Sequence, residues 1–204
     1  MNQSLAIRIP QQQRSKRRVL AILKASTALI ARHGILGLKM NDVARSAGIP
    51  IGSVYQYFPT KSALIAHLFS QHLDVYHRLG ERYLSEARTP EQSAAKLRRL
   101  VVVVYLDNRR NTLMREVWAG VQADRTIREI HLRDNAFFSD LLYKFVRAAR
   151  STVPEAQLRR RCQVVNEMWD GTIRLAITLD QKQGDALLQE SIRLGLSNLG
   201  LESQ

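Results

Sequence analysis

KMNDVARSAGIPIGSVYQYF, residues 39–58, reads as two short helices joined by a tight turn. Met40, Val43, Ala44 and Ala47 recur at i, i+3, i+4 and i+7, which gives the first helix a single apolar face. Gly48 stands where that helix must stop, because glycine reaches the left-handed C-cap conformation without a steric cost. Pro50 then bars the helix from continuing. The next helix, about 51–57, is dense in hydroxyl, amide and phenol groups (Ser53, Tyr55, Gln56, Tyr57), with a glycine at 52. Two helices joined by a Gly-containing turn form a helix-turn-helix, whose second helix enters the DNA major groove. The competing reading is an ordinary helical hairpin.

Charge favours DNA. The chain has 204 residues, 31 Lys+Arg, 18 Asp+Glu and a formal net charge of +13. Residues 1–70 hold ten basic side chains (Arg8, Arg14, Lys16, Arg17, Arg18, Lys24, Arg32, Lys39, Arg45, Lys61) and one acidic one, Asp42. Such a concentrated positive field is what a phosphate backbone rewards through counterion release. A basic membrane-surface helix is the rival, since 19–32 is amphipathic. Its stripe (Val19, Ile22, Leu23, Ser26, Leu29, Ile30) lacks Trp and Phe and reads as a helix packing on its neighbours.

The single cysteine, Cys162, rules out an internal disulfide framework and fits a reducing cytoplasm. The longest apolar run, 100–106, is far shorter than the ~20 residues of a spanning helix, so no membrane span is expected. A signal peptide is not expected either, because the first apolar stretch starts late and Lys24 interrupts it.

The chain reads as all-α, with about nine helices. Residues 1–14 are expected to be a disordered polar tail, 15–73 a DNA-binding domain and 74–204 a larger helical domain. The first helix is expected over 15–33, ended by Gly34. Thr60 caps a fourth over 61–86, and Thr89-Pro90-Glu91-Gln92 opens a fifth to about 108. That fifth helix includes the β-branched run 101–104. A sixth covers 112–122, and Thr126 with Glu129 caps a seventh reaching about 150. Pro154 and Glu155 open an eighth to about 181, and Asp185 caps a ninth ending near Gly200.

The string GLKMNDVARSAGIPIGSVYQYFPTKSALIAHLF resembles the N-terminal DNA-binding domain of the TetR family of bacterial transcriptional regulators. The resemblance rests on Ala47-Gly48, the run Gly52-Ser53-Val54-Tyr55, Tyr57-Phe58, Thr60-Lys61 and Ala63-Leu64, and covers roughly 15–73. It implies an N-terminal three-helix DNA-binding domain followed by a helical ligand-binding and dimerisation domain. Two positions depart from the family pattern. Lys39 stands where Ser or Thr caps the second helix; it cannot cap, but it can reach a phosphate as a point charge. Pro50 and Ile51 open the recognition helix, so readout there becomes apolar, for instance Ile51 on a thymine methyl.

The expected DNA-binding set is Lys39, Asn41, Arg45, Ile51, Gly52, Ser53, Tyr55, Gln56, Tyr57 and Lys61. Tyr55, Tyr57 and Lys61 suit phosphate, Gly52 lets the backbone come close, and Ser53 and Gln56 suit base edges. Tyr57 packed against the first helix, and Arg45 as a solvated charge, are the competing readings.

The resemblance implies a palindromic operator, a homodimer and a small-molecule effector, with repressor the family's common direction of control. Tyr105, Trp118, Gln122, Phe138, Asn166 and Trp169 are the expected effector contacts, ordinary core being the alternative. Dimerisation is expected through the last two helices, each with two apolar stripes, by Met168, Thr172, Leu188, Ile192, Gly195 and Leu199. No catalytic or metal site and no cofactor are expected. His67, His72 and His77 are spaced by five, about 500° of helical rotation, and share no face; they are read as lying at the seam between domains. Cys162 beside Arg159, Arg160 and Arg161 is either a core thiol or a redox sensor. The alternative overall is a helical enzyme or scaffold with an incidental basic surface.

Overall fold

The computed structural model describes residues 11–85, 89–120, 124–149 and 153–201. Among these residues all regular structure is helical: α1 Gln11–Gly37, α2 Met40–Ala47, α3 Ile51–Tyr57, α4 Lys61–Tyr83, α5 Pro90–Arg110, α6 Thr112–Gly120, α7 Arg125–Ala148, α8 Glu155–Ala176 and α9 Gln181–Asn198. The chain divides into two compact units, Met1–Leu68 and Phe69–Gln204, with α4 beginning in the first and ending in the second.

In the first unit, α1 starts at Gln11, inside the stretch read as tail; residues 1–10 lie outside the described ones. The helix breaks where expected, at Gly34, whose φ of 67° is open to glycine. Ile22, Leu23, Ser26 and Ile30 are buried, and α1 packs on α2. By length and composition alone, Gln13–Gly37 would suffice to cross a membrane, with a mean hydropathy of 1.5. The expectation from consecutive apolar residues missed this, because Lys24 and Arg32 break the run without lowering the average enough. Its buried stripe marks it as the core helix of this unit.

The α2–α3 turn forms as the sequence demands. Gly48 is left-handed (φ 65°, ψ 33°), and the amides of Gly48 and Ile49 return to the last turn of α2. Met40, Val43 and Ala44 are buried beneath it.

In the second unit, α7 packs on α8 and α8 on α9, with α5 against all three. The core runs through Leu97, Leu100, Tyr105, Phe145, Leu158, Cys162, Val165, Trp169, Leu188, Ile192 and Leu196. The β-branched run 101–104 is helical, within α5. Thr89 caps α5 through its hydroxyl and Pro90 occupies the first turn, as read. Two caps differ from expectation. Asp124, not Thr126, caps α7 and accepts from the amides of Thr126 and Ile127. Asp180, not Asp185, caps α9, and Asp185 instead accepts from the Tyr105 hydroxyl at 2.9 Å. An ionised carboxylate just before the free amides outcompetes a neutral hydroxyl, and competes equally with a carboxylate further on.

Most of the residues expected at the dimer face are buried within the chain itself. Leu188, Ile192 and Leu199 are at most 1 % exposed, and Gly195 is buried under the Trp169 indole. Leu188, Ile192 and Leu199 share the core of their own unit with Trp169 and Ile173 of α8. Met168 and Thr172 are half-buried. The outward apolar residues are Val164 and Leu175 on α8 and Leu194 on α9.

Cys162 is a core thiol. It is fully buried, and burial pushes its pKa up to about 12 against the opposing pull of Arg159, which removes the thiolate a redox sensor needs. The histidines do not form one seam. His67 packs on Phe58 within the first unit, while His72 and His77 belong to the second.

Candidate nucleic-acid interface and ligand cavity

α3 presents one face outward. Val54 within the helix and Phe58 after it are buried, and they anchor it to the first unit. Ile51, Gly52, Tyr55 and Gln56 are exposed, with Ser53 and Tyr57 half-buried. Nothing lies within 4 Å of where a Cβ on Gly52 would stand, so the helix surface there is open to a close partner. Lys39 sits extended before α2 and makes no side-chain cap, as its chemistry requires. Lys39, Asn41 and Arg45 are exposed, and Arg45 pairs with Asp42 at 2.7 Å.

Two expected phosphate contacts already have protein partners. The Ser15 hydroxyl donates to the Tyr57 phenol at 3.1 Å, tying α3 to α1. The Lys61 ammonium donates to the Leu36 carbonyl at 3.1 Å, at the end of α1. The first bond ties α3 to α1, and the second ties the start of α4 to the end of α1.

The second unit contains a cavity of about 100 Å³. Leu84, Leu97, Leu100, Val101, Leu142 and Ile173 form its apolar wall, with Trp118, Phe138 and Trp169 as aromatic surfaces. Of the expected contacts, Trp118, Phe138, Asn166 and Trp169 line it. Tyr105 does not: its ring is buried and its hydroxyl is held by Asp185 and Arg109. Gln122 lies outside the described residues.

The polar lining was not read from the sequence: Tyr76, Asn108, His131, Asp134, Asn135 and Asp170. Asn108 bridges the Tyr76 hydroxyl (2.9 Å) and the Trp118 indole N–H (3.2 Å), and Tyr76 donates onward to Asp107 at 2.8 Å. Asp134 meets His77 at 2.6 Å, and burial raises its pKa against the pull of that imidazole. His131 is 6 % exposed, and its Nδ1 has no hydrogen-bond partner among the described residues. Burial first, and then Arg174, hold its pKa below the ordinary histidine value.

Residues 22–68 match the family model for bacterial regulatory proteins of the tetR family, and residues 91–201 match that for the tetracyclin repressor-like C-terminal domain. The chain belongs to the TetR family.

Among relatives of this TetR-family chain, the probable HTH-type transcriptional regulator YttP of Bacillus subtilis (strain 168) is 26 % identical over 110 residues. That match covers 53 % of this chain and 53 % of YttP, so the chain spans about half the length of this relative. The HTH-type transcriptional repressor KstR2 of Rhodococcus jostii (strain RHA1) is 28 % identical over 154 residues, covering 62 % of this chain and 72 % of KstR2. The transcriptional regulator FadR of Bacillus subtilis, solved in complex with stearoyl-CoA, shares the fold: its TM-score is 0.66 at 18 % identity, covering 88 % of this chain and 98 % of FadR. The TetR membership accounts for the paired arrangement of a small helix-turn-helix unit and a larger helical one.

Proposed function

We propose that this TetR-family regulator is a homodimeric, sequence-specific DNA-binding repressor, acting in the cytoplasm on a palindromic operator and released from it by a small organic ligand held in the cavity of the second unit. The observation that carries the DNA-binding part is the outward polar face of α3, with Gln56, Tyr55 and Ile51 exposed while Val54 and Phe58 anchor the helix. Gln56 suits adenine N6 and N7 together, and Lys39, Arg45 and Tyr55 suit flanking phosphates. The stearoyl-CoA complex of FadR supports a ligand-responsive second domain. Release requires that the ligand bind the DNA-free conformation more tightly, since only differential affinity shifts an equilibrium.

A footprint on the DNA upstream of the protein's own gene tests the proposal. Protection of an inverted repeat is the expected result, and no protection at low salt overturns it in favour of a helical enzyme or scaffold. With roughly six to ten phosphate contacts per dimer, affinity should fall about 10³–10⁵-fold between 50 and 200 mM salt. A salt-independent affinity would remove the phosphate contacts from this account.

A further inference from the structure

We infer that the cavity of the second unit takes an uncharged alcohol with a hydrocarbon body of about one ring, its hydroxyl donating to His131 Nδ1 and its body lying against the leucine and aromatic walls. The inference rests on the proposed ligand-responsive role and adds the chemical class of the ligand.

The charges around the cavity are already matched. Among the described residues no Lys or Arg lines it, and its two carboxylates, Asp134 and Asp170, each have a partner in the chain. Asp134 meets His77 at 2.6 Å. Asp170 contacts the Arg174 guanidinium, which also sits over the Trp118 ring, 5.4 Å from its centroid. Glu167 does not line the cavity; it is half exposed, stands 3.8 Å from Arg174 and accepts from the Asn135 amide. The His131 imidazole is neutral, because burial and then Arg174 hold its pKa below the ordinary value. A ligand ion of either sign would shed its water here and find no free counter-charge.

Hydrogen bonding selects the functional group. Asn108 bonds the Tyr76 hydroxyl, the Val104 carbonyl and the Trp118 indole N–H, and the Trp169 indole donates to the Ser191 carbonyl. Two buried side-chain polar atoms lack a partner among the described residues, and His131 Nδ1 is the one whose residue lines the cavity. The other ring nitrogen, Nε2, stands 3.7 Å from the Asp170 carboxylate. A carboxylate only accepts, so the single proton of the neutral ring belongs on Nε2 and Nδ1 is an acceptor. Buried acceptors are met by donors, and a hydroxyl supplies one without a charge. An amide would bring a carbonyl as well, and the indole and Asn108 N–H groups on the wall are already engaged.

Volume sets the body. An apolar cavity of about 150 Å³ accommodates benzene, so about 100 Å³ suits a body no larger than one ring. The wall of Leu84, Leu97, Leu100, Leu142 and Ile173 gives that body apolar contact.

The test uses the full-length protein without DNA, so that failure of operator binding does not affect it. Titrations at neutral pH follow the emission of Trp118 and Trp169, the chain's two tryptophans, both on the cavity wall. The probes are cyclopentanol, its like-sized counterparts cyclopentylamine (an ammonium) and methylcyclopentane, and cyclopentanecarboxylate. Cyclopentanol should bind saturably and at least about tenfold tighter than the ammonium or the carboxylate, the factor of one uncompensated charge. His131→Leu should weaken cyclopentanol about tenfold, the worth of one hydrogen bond, and leave methylcyclopentane as in wild type. Where His131→Leu does not fold, the wild-type comparison of the alcohol with the two ions decides. Binding of the alcohol without release from the operator keeps this ligand class and overturns the regulatory reading instead. An ion bound as tightly as cyclopentanol overturns the inference, as does equal weakening of alcohol and hydrocarbon in folded His131→Leu, or no saturable binding of cyclopentanol.

Discussion

Gly195 has no side chain because the indole of Trp169 fills that space. A Cβ there would stand 2.6 Å from Trp169 Cε2 and Cζ2, and the same indole donates its N–H to the Ser191 carbonyl at 3.0 Å. The ring is therefore held from both sides and cannot retreat cheaply. Gly195→Ala should lower stability by about 1–3 kcal/mol, the usual cost of overpacking, read as a lower urea midpoint at unchanged slope. An unchanged midpoint would show that the indole moves aside. Two imidazoles, His131 buried and His72 half-buried, carry a pH dependence of definite sign. Burial holds His72 and His131 below 6.5, opposed at His72 by Asp107 and reinforced at His131 by Arg174. Below that value the unfolded chain binds protons that the folded chain refuses, so the stability linked to these groups is present above pH 6.5 and lost as the pH falls. The loss should not exceed about 1.4 kcal/mol per pH unit for each histidine. Asp134, raised from 3.8, acts with the opposite sign, so the slope of wild type is compared with that of His131→Gln. Identical slopes between about pH 7.5 and 5.5 would remove His131 from this account.

The helix elements were legible wherever a local rule has one solution. Gly48 must be left-handed, Thr89-Pro90 must open a helix, and the stripe of α1 must face inward, and each does so. Where two residues compete for one task, local rules are insufficient. Asp124 and Thr126 both suit the start of α7, as Asp180 and Asp185 both suit α9, and only the folded geometry brings one oxygen to the free amides. The two apolar stripes of α9 were visible, but periodicity does not say which faces the protein. The cavity was the least legible feature, since His77 and Asp134 stand 57 residues apart and no sequence pattern joins them. For α3 the side-chain chemistry marked the outward positions Tyr55 and Gln56, and they yield separable consequences. Gln56→Ala should cost about 1–3 kcal/mol per affected half-site and relax preference at one base pair. Lys61→Ala should weaken all operators alike, because an ammonium at the start of α4 suits a phosphate rather than a base edge. Competition binding against a set of single-base operator variants measures both. A uniform loss for Gln56→Ala would remove it from the base readers.

At the scale of the molecule, a regulator with one recognition helix per chain needs a partner to reach two major grooves, about 34 Å apart or a multiple of it. The partner surface must be apolar and outside the core. On α8, Val164, Met168 and Leu175 fall within about 40° of one line at 100° per residue, and Val164 and Leu175 are 62 % and 53 % exposed. On α9, Leu187 and Leu194 align the same way, with Leu194 46 % exposed. These outward stripes are the surfaces that we propose pair across a two-fold axis, in place of the buried Leu188 face. The distinction makes the dimer testable by mutation. A charge at Leu188 would unfold the unit, since that side chain is 1 % exposed, and the result would say nothing about assembly. Leu175→Arg and Leu194→Arg add charge to solvent-facing positions and should leave the unfolding midpoint within about 0.5 kcal/mol of wild type. In sedimentation, wild type should run at twice the 23.3 kDa chain mass and the double variant at the single mass. Operator affinity should fall with the dimer, because one half-site carries only half of the phosphate contacts. A folded wild-type species of 23.3 kDa at micromolar concentration would defeat the dimer. A double variant that stays dimeric would move the interface off α8 and α9.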